Sequence, residues 1–474
     1  MSRPTRRVPA LLSLLVLAGV QAIGAQAPDQ GVYAIEGVSV IPMDSEWTVL
    51  PDRTVVVRGG VIEAVGPAGQ VRVPADATRI DGRGQWLLPG LAEMHAHVPP
   101  VQQPSSDQWP DREALEDILF LYVANGITTI RGMLGADYQL ELERMLDAGE
   151  VVGPNLDVGA FSLNQNSART PDDAERLIRM HAQKGYDFQK VHPGFSRETW
   201  DRAAAVAEEV GLPLAGHVPA DVGLEHALAT GIASVDHMDG FVDAVASEDV
   251  RRRVAAGEDV PLGEVVASAT EARIREVARM TRDARVAVVP TAFLWENLYG
   301  NPNVDEMLSM PEMRYVSPQQ RQAWRNQAAG RPSLTADVVE AHNELRRRIL
   351  RVLEEEGVTI LMGTDSPQLF NVPGFALHRE LDVMRRSGLS NWEILETGTA
   401  NVGAWIRQHL DEESSDVGTI APGQRADLVL LERSPLVDLE HLTSRSGVMV
   451  NGRWYPRSVL DAGLERIAAK HAAG

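Results

Sequence analysis

The chain has 474 residues, 44% of them hydrophobic, and no cysteine; 45 Lys and Arg stand against 66 Asp and Glu, for a formal net charge of −21. These values exclude a small disulfide-stapled scaffold and argue against a basic nucleic-acid-binding protein. A chain of this length can bury a large core, and one large α/β domain with a smaller attached domain fits it as well as three small domains do.

The first 27 residues have the pattern of a secretory signal peptide. Residues 1–7 carry three arginines and no acid, residues 8–24 are nearly all apolar, and Ala25-Gln26-Ala27 resembles a cleavage site. The apolar stretch is shorter than a membrane-spanning helix needs, so an anchor is the weaker alternative and we expect no stable membrane span in the mature chain. Cleavage takes the net charge from −21 to −24. We expect export to the periplasm or the medium, by the general or the twin-arginine route.

Both flanks of the mature chain are rich in short β-type runs separated by turns. In the N-terminal flank, residues 28–87, Val55 and its neighbours precede an Arg58-Gly59-Gly60 turn and a second apolar run. In the C-terminal flank, residues 406–474, the run ending at Val450 precedes an Asn451-Gly452 hairpin turn. Because neither flank has enough strands for its own core, we predict one small β-sandwich built from both.

The middle of the chain, residues 88–405, alternates short apolar strands with helical segments. Eight such strands over about 310 residues predict a (β/α)8 TIM barrel, with a doubly wound open sheet as the alternative. The predicted strands are Trp86–His97, Ile127–Arg131, Asn155–Gly159, Asp187–His192, Pro213–His217, Ser234–His237, Val286–Pro290 and Thr359–Asp365.

Helix start signals support this order. Thr170 and Ser317 are each followed by proline and, at the third position, by a polar residue, and Ser196 opens another helix that ends before Gly211. Two connections are unusually long, residues 240–285 and 295–336. Long insertions after barrel strands commonly form a lid or a wall of the substrate site.

Ionisable side chains fall at or near the ends of five predicted strands. These residues are His95, His97, Lys190, His217, His237 and Asp365. The C-terminal ends of barrel strands form one rim, so the six side chains are expected to meet there. Imidazole and carboxylate are ligands that Zn²⁺ favours, and a lysine inside a barrel is costly unless its charge is neutralised or the side chain is modified.

The same residues lie within a wider set of motifs. The chain resembles the metal-dependent amidohydrolase superfamily, in the branch of Xaa-Pro dipeptidases (prolidases) and imidazolonepropionase-like proteins. The motifs that carry the resemblance, besides His-x-His and Lys190, are Leu88-Pro89-Gly90-Leu91, residues 126–131, Gly216-His217-Val218-Pro219, Gly363-Thr364-Asp365 and residues 423–428.

The resemblance implies two divalent metal ions, which we expect to be zinc, and a CO₂-derived carbamate on Lys190. It implies that His95, His97 and Asp365 bind one ion, that His217 and His237 bind the other, and that the carbamate of Lys190 joins both. Two ions about 3.5 to 4 Å apart generate a bridging hydroxide near neutral pH. Asp365 is then the catalytic residue, which takes a proton on attack and delivers it to the leaving amine.

The leading functional hypothesis is hydrolysis of a small-molecule amide, either a dipeptide such as Xaa-Pro or an N-acyl amino acid. An ester, lactone or phosphotriester hydrolase is the alternative, because the same ligands serve those reactions. A non-catalytic binding protein on a degenerate barrel is a further alternative, although all the metal-binding residues that the resemblance implies are present. No nucleic-acid partner is expected, and a homo-oligomer is left open.

Two further residues are candidates for substrate contact. Arg131, which ends the second strand, has the geometry of a carboxylate clamp but would serve equally in a structural ion pair. His192, two residues after Lys190, faces the same side as that lysine, and a structural role is the alternative. Specificity is expected in the loops at 132–137, 192–195, 291–315 and 366–374, where the sequence carries no readable code.

Overall fold

The computed structural model describes residues 30–99, 109–300, 303–330, 334–410 and 417–472. The predicted signal peptide, residues 1–27, lies outside the described residues. Within those ranges, no helix combines the length and the apolar composition needed to cross a bilayer.

The strands of the two flanks join into one mixed eight-stranded sheet. From the N-terminal flank come β1 (Val32–Val40), β2 (Leu50–Arg58), β3 (Val61–Pro67), β4 (Thr78–Asp81) and β5 (Trp86–Pro89). The barrel strands, in chain order, are β6 (Leu91–Ala96), β7 (Ile127–Gly132), β8 (Asn155–Val158), β9 (Gln189–Val191), β10 (Leu214–Gly216), β11 (Ser234–Asp236) and β12 (Ala287–Val289). From the C-terminal flank come β13 (Leu428–Leu431), β14 (Arg445–Val450) and β15 (Arg453–Pro456).

The sheet order is β15-β14-β13-β5-β1-β2-β3, with β4 paired to β1. The two flanks meet where β13 pairs antiparallel with β5, and the backbone N–H of Ile62 also donates to the carbonyl of Gln424, 2.8 Å away. Ile35, Val55 and Leu428 belong to one buried apolar cluster that both flanks share. The flanks therefore combine into one β domain, as predicted.

The barrel closes through parallel contacts between all eight predicted strands. β6, β7 and β8 form one parallel ladder and β9 to β12 another. Three parallel bridges connect these ladders with the segment 359–366, namely Gly159 with Phe188, Val288 with Ile360, and Ala96 with Ser366. The (β/α)8 barrel is thus confirmed, and the open-sheet alternative is excluded.

The predicted strand Trp86–His97 is two strands. Trp86 to Pro89 pair with the flank sheet and Leu91 to Ala96 with the barrel, so the boundary between domains falls at Gly90. A Cβ atom at Gly90 would collide with the side chain of Thr128. This close approach requires glycine at the point where the chain passes from one domain to the other.

The eighth strand is less regular than predicted. Thr359 to Asp365 make single bridges and isolated backbone hydrogen bonds rather than a continuous ladder. Asp365 has φ of 61°, so the extended chain ends there. This turn places the carboxylate of Asp365 beside the end of β6, where the backbone N–H of Asp365 donates to the carbonyl of His95 over 2.8 Å.

Helices lie between and around the barrel strands. The predicted N-caps are confirmed: Thr170, Ser196 and Ser317 each accept a hydrogen bond from the backbone N–H three residues later. The helices are α1 (Arg112–Ala124), α2 (Asp137–Ala148), α3 (Pro171–Lys184), α4 (Arg197–Val210), α5 (Leu224–Ala229), α6 (Phe241–Ala244), α7 (Glu248–Ala255), α8 (Leu262–Ser268), α9 (Glu271–Asp283), α10 (Ala292–Tyr299), α11 (Val304–Leu308), α12 (Pro318–Ala329), α13 (Ala336–Glu355), α14 (Ala376–Arg386), α15 (Asn391–Thr397), α16 (Ala400–His409) and α17 (Arg457–Ala472). The long connections therefore consist largely of short helices, α6 to α9 and α10 to α12.

Candidate active site

Three of the expected ligands form a compact buried group. His95, His97 and Asp365 each offer a ligand atom, and these atoms lie within 4.8 Å of one another. Nε2 of His97 is 2.7 Å from Oδ1 of Asp365, and Nε2 of His95 is 3.6 Å from the same oxygen. The period of two across the end of β6 and the turn at Asp365 bring the three side chains together.

His217 and His237 adjoin this group. Their ring centroids are 4.4 Å apart, and the ring of His237 lies 4.5 Å from that of His95. Nδ1 of His217 is 2.6 Å from Oδ2 of Asp239, and Nδ1 of His237 is 2.8 Å from Oγ1 of Thr291. Each ring is therefore oriented through its Nδ1, and its Nε2 is the atom that could bind a metal ion.

Lys190 lies within the same cluster. Its side chain is fully buried, and Nζ is 3.4 Å from Nε2 of His95. Among the described residues, no carboxylate lies within ion-pair distance of this Nζ. Burial lowers the pKa of Lys190 to about 8, so about a tenth of the amine is uncharged at pH 7, far more than for a solvent-exposed lysine.

The two histidines at the centre are held in their neutral forms. Burial, assisted by the nearby Lys190, lowers the pKa of His95 well below its ordinary value, and burial acts in the same way on His237. A neutral imidazole has a lone pair available for a metal ion, whereas an imidazolium does not.

Asp236 supports the site from within the barrel. Its carboxylate accepts hydrogen bonds from Ser234 Oγ at 2.8 Å and Arg131 Nη2 at 3.0 Å, and it lies 2.7 Å from Nδ1 of His95. Arg131 also donates Nε to the carbonyl of Met94 and Nη1 to Ser234 Oγ, and its side chain is fully buried. Of the two roles considered for Arg131, these contacts are those of the structural ion pair.

Glu93 connects the first and last barrel strands. Its carboxylate accepts hydrogen bonds from the backbone N–H and the hydroxyl of Thr364, both at 2.7 Å, and from the backbone N–H of His95 at 3.2 Å. Burial raises the pKa of Glu93 to about 8. The link fixes the distance between His95 and Asp365, which belong to different strands.

His192 lies at the edge of the cluster. Its ring centroid is 5.0 Å from that of His217, and its Nδ1 is 2.5 Å from the hydroxyl oxygen of Ser162. Burial lowers the pKa of His192 to about 2, which keeps the ring neutral. The structure thus brings His192 to the rim beside the predicted ligands.

Sequence reasoning missed the residues that hold the ligands. Asp236, Asp239 and Thr291 were not singled out, although each makes a hydrogen bond with a predicted ligand. A usable signal existed for Asp236: Ser234 and Asp236 alternate along a short strand, so both polar side chains face the same side of it. No comparable local pattern marks Thr291, which meets His237 only in the fold.

Comparison with known proteins gives a family and a fold. A model of the amidohydrolase family matches residues 86–455. An adenine deaminase of Chelativorans sp. (strain BNC1) is 27% identical over 238 residues, which cover 48% of this chain and 38% of that protein, so the match spans well under half of the relative. A solved bottromycin amidohydrolase is 23% identical, with a TM-score of 0.69 over 93% of this chain and 90% of that one. A putative prolidase from Bifidobacterium longum is 20% identical, with a TM-score of 0.63 over 93% and 100% of the two chains.

Proposed function

This chain belongs to the amidohydrolase family, and we propose that it is a metal-dependent hydrolase that cleaves a C–N amide bond with two divalent cations. The observation that carries the proposal is the convergence of His95, His97 and Asp365 with Lys190 and His237 at one end of the barrel. The substrates proposed are small amides, either dipeptides such as Xaa-Pro or N-acyl amino acids.

The residues present fit divalent cations. His95, His97 and Asp365 would hold one ion, and His217 and His237 the second. A set of imidazole and carboxylate groups without thiolate suits zinc. The rings of His95, His217 and His237 each make a hydrogen bond at Nδ1, as metal-binding histidines commonly do. When bound, the ions would activate a water molecule and polarise the scissile carbonyl group.

Asp365 is the proposed proton carrier. Its Oδ1 is engaged, because it lies 2.7 Å from His97 Nε2 and accepts a hydrogen bond from Gln368 Nε2 at 2.7 Å. Its Oδ2 lies 3.8 Å from His237 Nε2, beyond hydrogen-bonding distance. Oδ2 can therefore take the proton of the attacking water and pass it to the nitrogen of the leaving amine.

Lys190 is the proposed site of a carbamate. Carbamate formation joins an uncharged amine to CO₂ with release of a proton. Burial favours the uncharged amine of Lys190 and outweighs the opposing effect of Asp236 and Asp365 on its pKa. The carbamate would place a carboxylate at the end of the Lys190 side chain, whose Nζ lies 3.4 Å from Nε2 of His95. It would convert a costly buried lysine into a metal ligand.

The test is a hydrolysis screen of the zinc-loaded enzyme in bicarbonate buffer with Xaa-Pro dipeptides, N-acyl amino acids and lactones. We expect release of free amine from at least one amide class, with about two zinc ions per chain by elemental analysis. His217→Asn should reduce bound zinc toward one per chain, because a carboxamide is a much poorer zinc ligand than imidazole.

Three outcomes would each count against the proposal. They are turnover of lactones alone, full amidase activity of metal-free protein, and undiminished amidase activity of Lys190→Ala. Absence of any turnover would favour a binding protein. Gln70→Glu, an exposed change in the flank domain, is the matched control for handling and metal loading.

Export is also a proposal. Residues 1–27 support it through their arginines, apolar stretch and small-residue cleavage site. Expression with and without these residues, followed by cell fractionation and N-terminal sequencing, tests it. An intact N-terminus on protein retained in the cytoplasm would contradict it.

A further inference from the structure

A cavity opens beside the metal-binding cluster, between the loops that follow β8 and β9. It has a volume of about 380 Å³ and is lined mainly by Ser162, Asn164, Gln165 and Asn166 from the first loop and His192 and Pro193 from the second. This volume is in the range of small-molecule sites. The loop after β8 was not among those expected from the sequence to determine specificity.

The cavity, which we name the β8–β9 pocket, shares a wall with the proposed active site. His192 lines it, and the ring of His192 lies 5.0 Å from that of His217. Nδ1 of His192 is held at 2.5 Å by Ser162, which also lines the pocket. A substrate whose carbonyl lies at the metal ligands can therefore extend into this pocket.

The pocket walls are fixed by backbone hydrogen bonds. The N–H of Leu163 donates to the carbonyl of Lys190 at 3.0 Å, and the N–H of His192 donates to the carbonyl of Leu163 at 2.8 Å. Oδ1 of Asn164 accepts from the backbone N–H of Asn166 at 2.8 Å. The loop is thus attached along β9, and the pocket does not need to form when the substrate binds.

The lining combines uncharged polar side chains with the apolar Leu134 and Pro193, and it contains no carboxylate or ammonium group. None of the residues that line the pocket is Lys, Arg, Asp or Glu. Gln165 is exposed, packs beside Gly194 and makes no hydrogen bond with the described residues, so its amide can both donate and accept. Such a surface suits an uncharged group with its own donors and acceptors and does not neutralise a charged one.

The barrel order shows which part of the substrate reaches this pocket. Asp365 lies on the eighth strand segment, and the pocket lies between the third and fourth strands, β8 and β9, across the barrel mouth from it. Because Asp365 is the proposed donor of the proton to the leaving amine, the amine portion lies on the side of Asp365. The acyl portion then points toward the β8–β9 pocket.

We propose that the β8–β9 pocket binds the acyl portion of the substrate and selects acyl groups that are uncharged and form hydrogen bonds. This inference rests on the proposed amide hydrolysis and narrows its substrate class to N-acylated amino acids and N-capped peptides. A free dipeptide is disfavoured, because its acyl residue carries an α-ammonium group that the pocket leaves without a counter-ion.

The test compares two substrates that differ only in that ammonium group, glycyl-phenylalanine and N-acetylglycyl-phenylalanine, by release of phenylalanine from the zinc-loaded enzyme. We expect kcat/KM at least 10-fold higher for the capped substrate. Gln165→Glu places a carboxylate in the pocket and should shift this preference at least 10-fold toward the free dipeptide. Gln70→Glu makes the same chemical change outside the site and should leave the preference unchanged.

Isothermal titration calorimetry with N-acetylglycine and with glycine, the acyl products of the two substrates, gives a second readout that needs no turnover. We expect tighter binding of N-acetylglycine by wild type, and a reduced difference in Gln165→Glu. Preference of wild type for the free dipeptide, or an unchanged preference in Gln165→Glu, would overturn the inference while leaving amide hydrolysis intact. Failure to hydrolyse any amide would instead overturn the proposed function, and this inference with it.

Discussion

Asp236 is predicted to be a main support of both stability and metal binding. Its side chain and that of Arg131 are completely buried, and their closest atoms are 3.0 Å apart. The same carboxylate lies 2.7 Å from Nδ1 of His95. Asp236→Asn keeps the shape but removes the negative charge, which leaves the guanidinium of Arg131 buried without a counter-ion.

The expected loss is large for a single substitution. Breaking one partner of a buried ion pair costs about 3 to 5 kcal/mol, against a total stability of about 5 to 15 kcal/mol for a typical domain. Urea unfolding of the metal-free protein should show this loss for Asp236→Asn. The double variant Arg131→Met with Asp236→Asn should recover much of it, since no unpaired charge then stays buried.

Asp239 provides a matched control. It binds Nδ1 of His217 as Asp236 binds His95, but it is 17% exposed and forms no ion pair with an arginine among the described residues. Both Asp→Asn variants should bind zinc about 10- to 100-fold more weakly than wild type, as measured by competition with a chelating dye. Asp239→Asn, in contrast, should lose no more than about 1 kcal/mol of stability. Equal stability losses in the two variants would refute the assigned role of Asp236.

Three further predictions concern the lysine, pH and metal. Lys190→Met should abolish activity and the bicarbonate-dependent ¹³C NMR signal of a carbamate. The melting temperature of the metal-free protein should stay within a few degrees of wild type, because an apolar side chain of similar length replaces a buried amine. Burial and the nearby Asp157 raise the pKa of Asp187 to about 8 from 3.8, so the folded chain retains a proton that the unfolded chain releases. Stability should fall as pH rises from about 4 to 8, and Asp187→Asn should flatten this dependence in melting curves recorded across that range. Removal of zinc with a chelator should lower the melting temperature, because free zinc at about 1,000 times its Kd stabilises the folded state by about 4 kcal/mol. An unchanged melting temperature would contradict metal binding in the folded state.

The barrel and the positions of His95 and His97 were predictable because both depend on short-range regularities. Each strand is a short apolar run, five of the eight have an ionisable residue at or near their carboxyl ends, and those ends share one rim. His95 and His97 could therefore be assigned to one face from the period of two alone. Their proximity to Asp365, 270 residues along the chain, followed from the barrel order rather than from any local pattern.

The features that were not predicted depend on contacts between distant parts of the chain. The division of the first strand at Gly90 follows from the closeness of Thr128; the Pro89-Gly90 pair is a turn signal at that point, but by itself it does not show which sheet each half joins. The role of Arg131 was decided by Asp236 on another strand. The β8–β9 pocket arises because the backbone of Leu163 pairs with β9, a contact that residues 159–168 do not reveal in sequence.

Three non-glycine residues at the rim have left-handed backbone conformations that the surrounding fold maintains. His237, Thr291 and Asp365 have φ of 62°, 42° and 61°, a region that costs non-glycine residues about 1 to 3 kcal/mol each. Contacts elsewhere maintain them: His237 Nδ1 lies 2.8 Å from the Thr291 hydroxyl oxygen, and the buried Arg346 donates Nη2 to the carbonyls of His237 at 2.9 Å and Pro290 at 3.3 Å. These bonds join the end of β11 to the end of β12, so contacts of the chain itself fix the position of His237 at the rim.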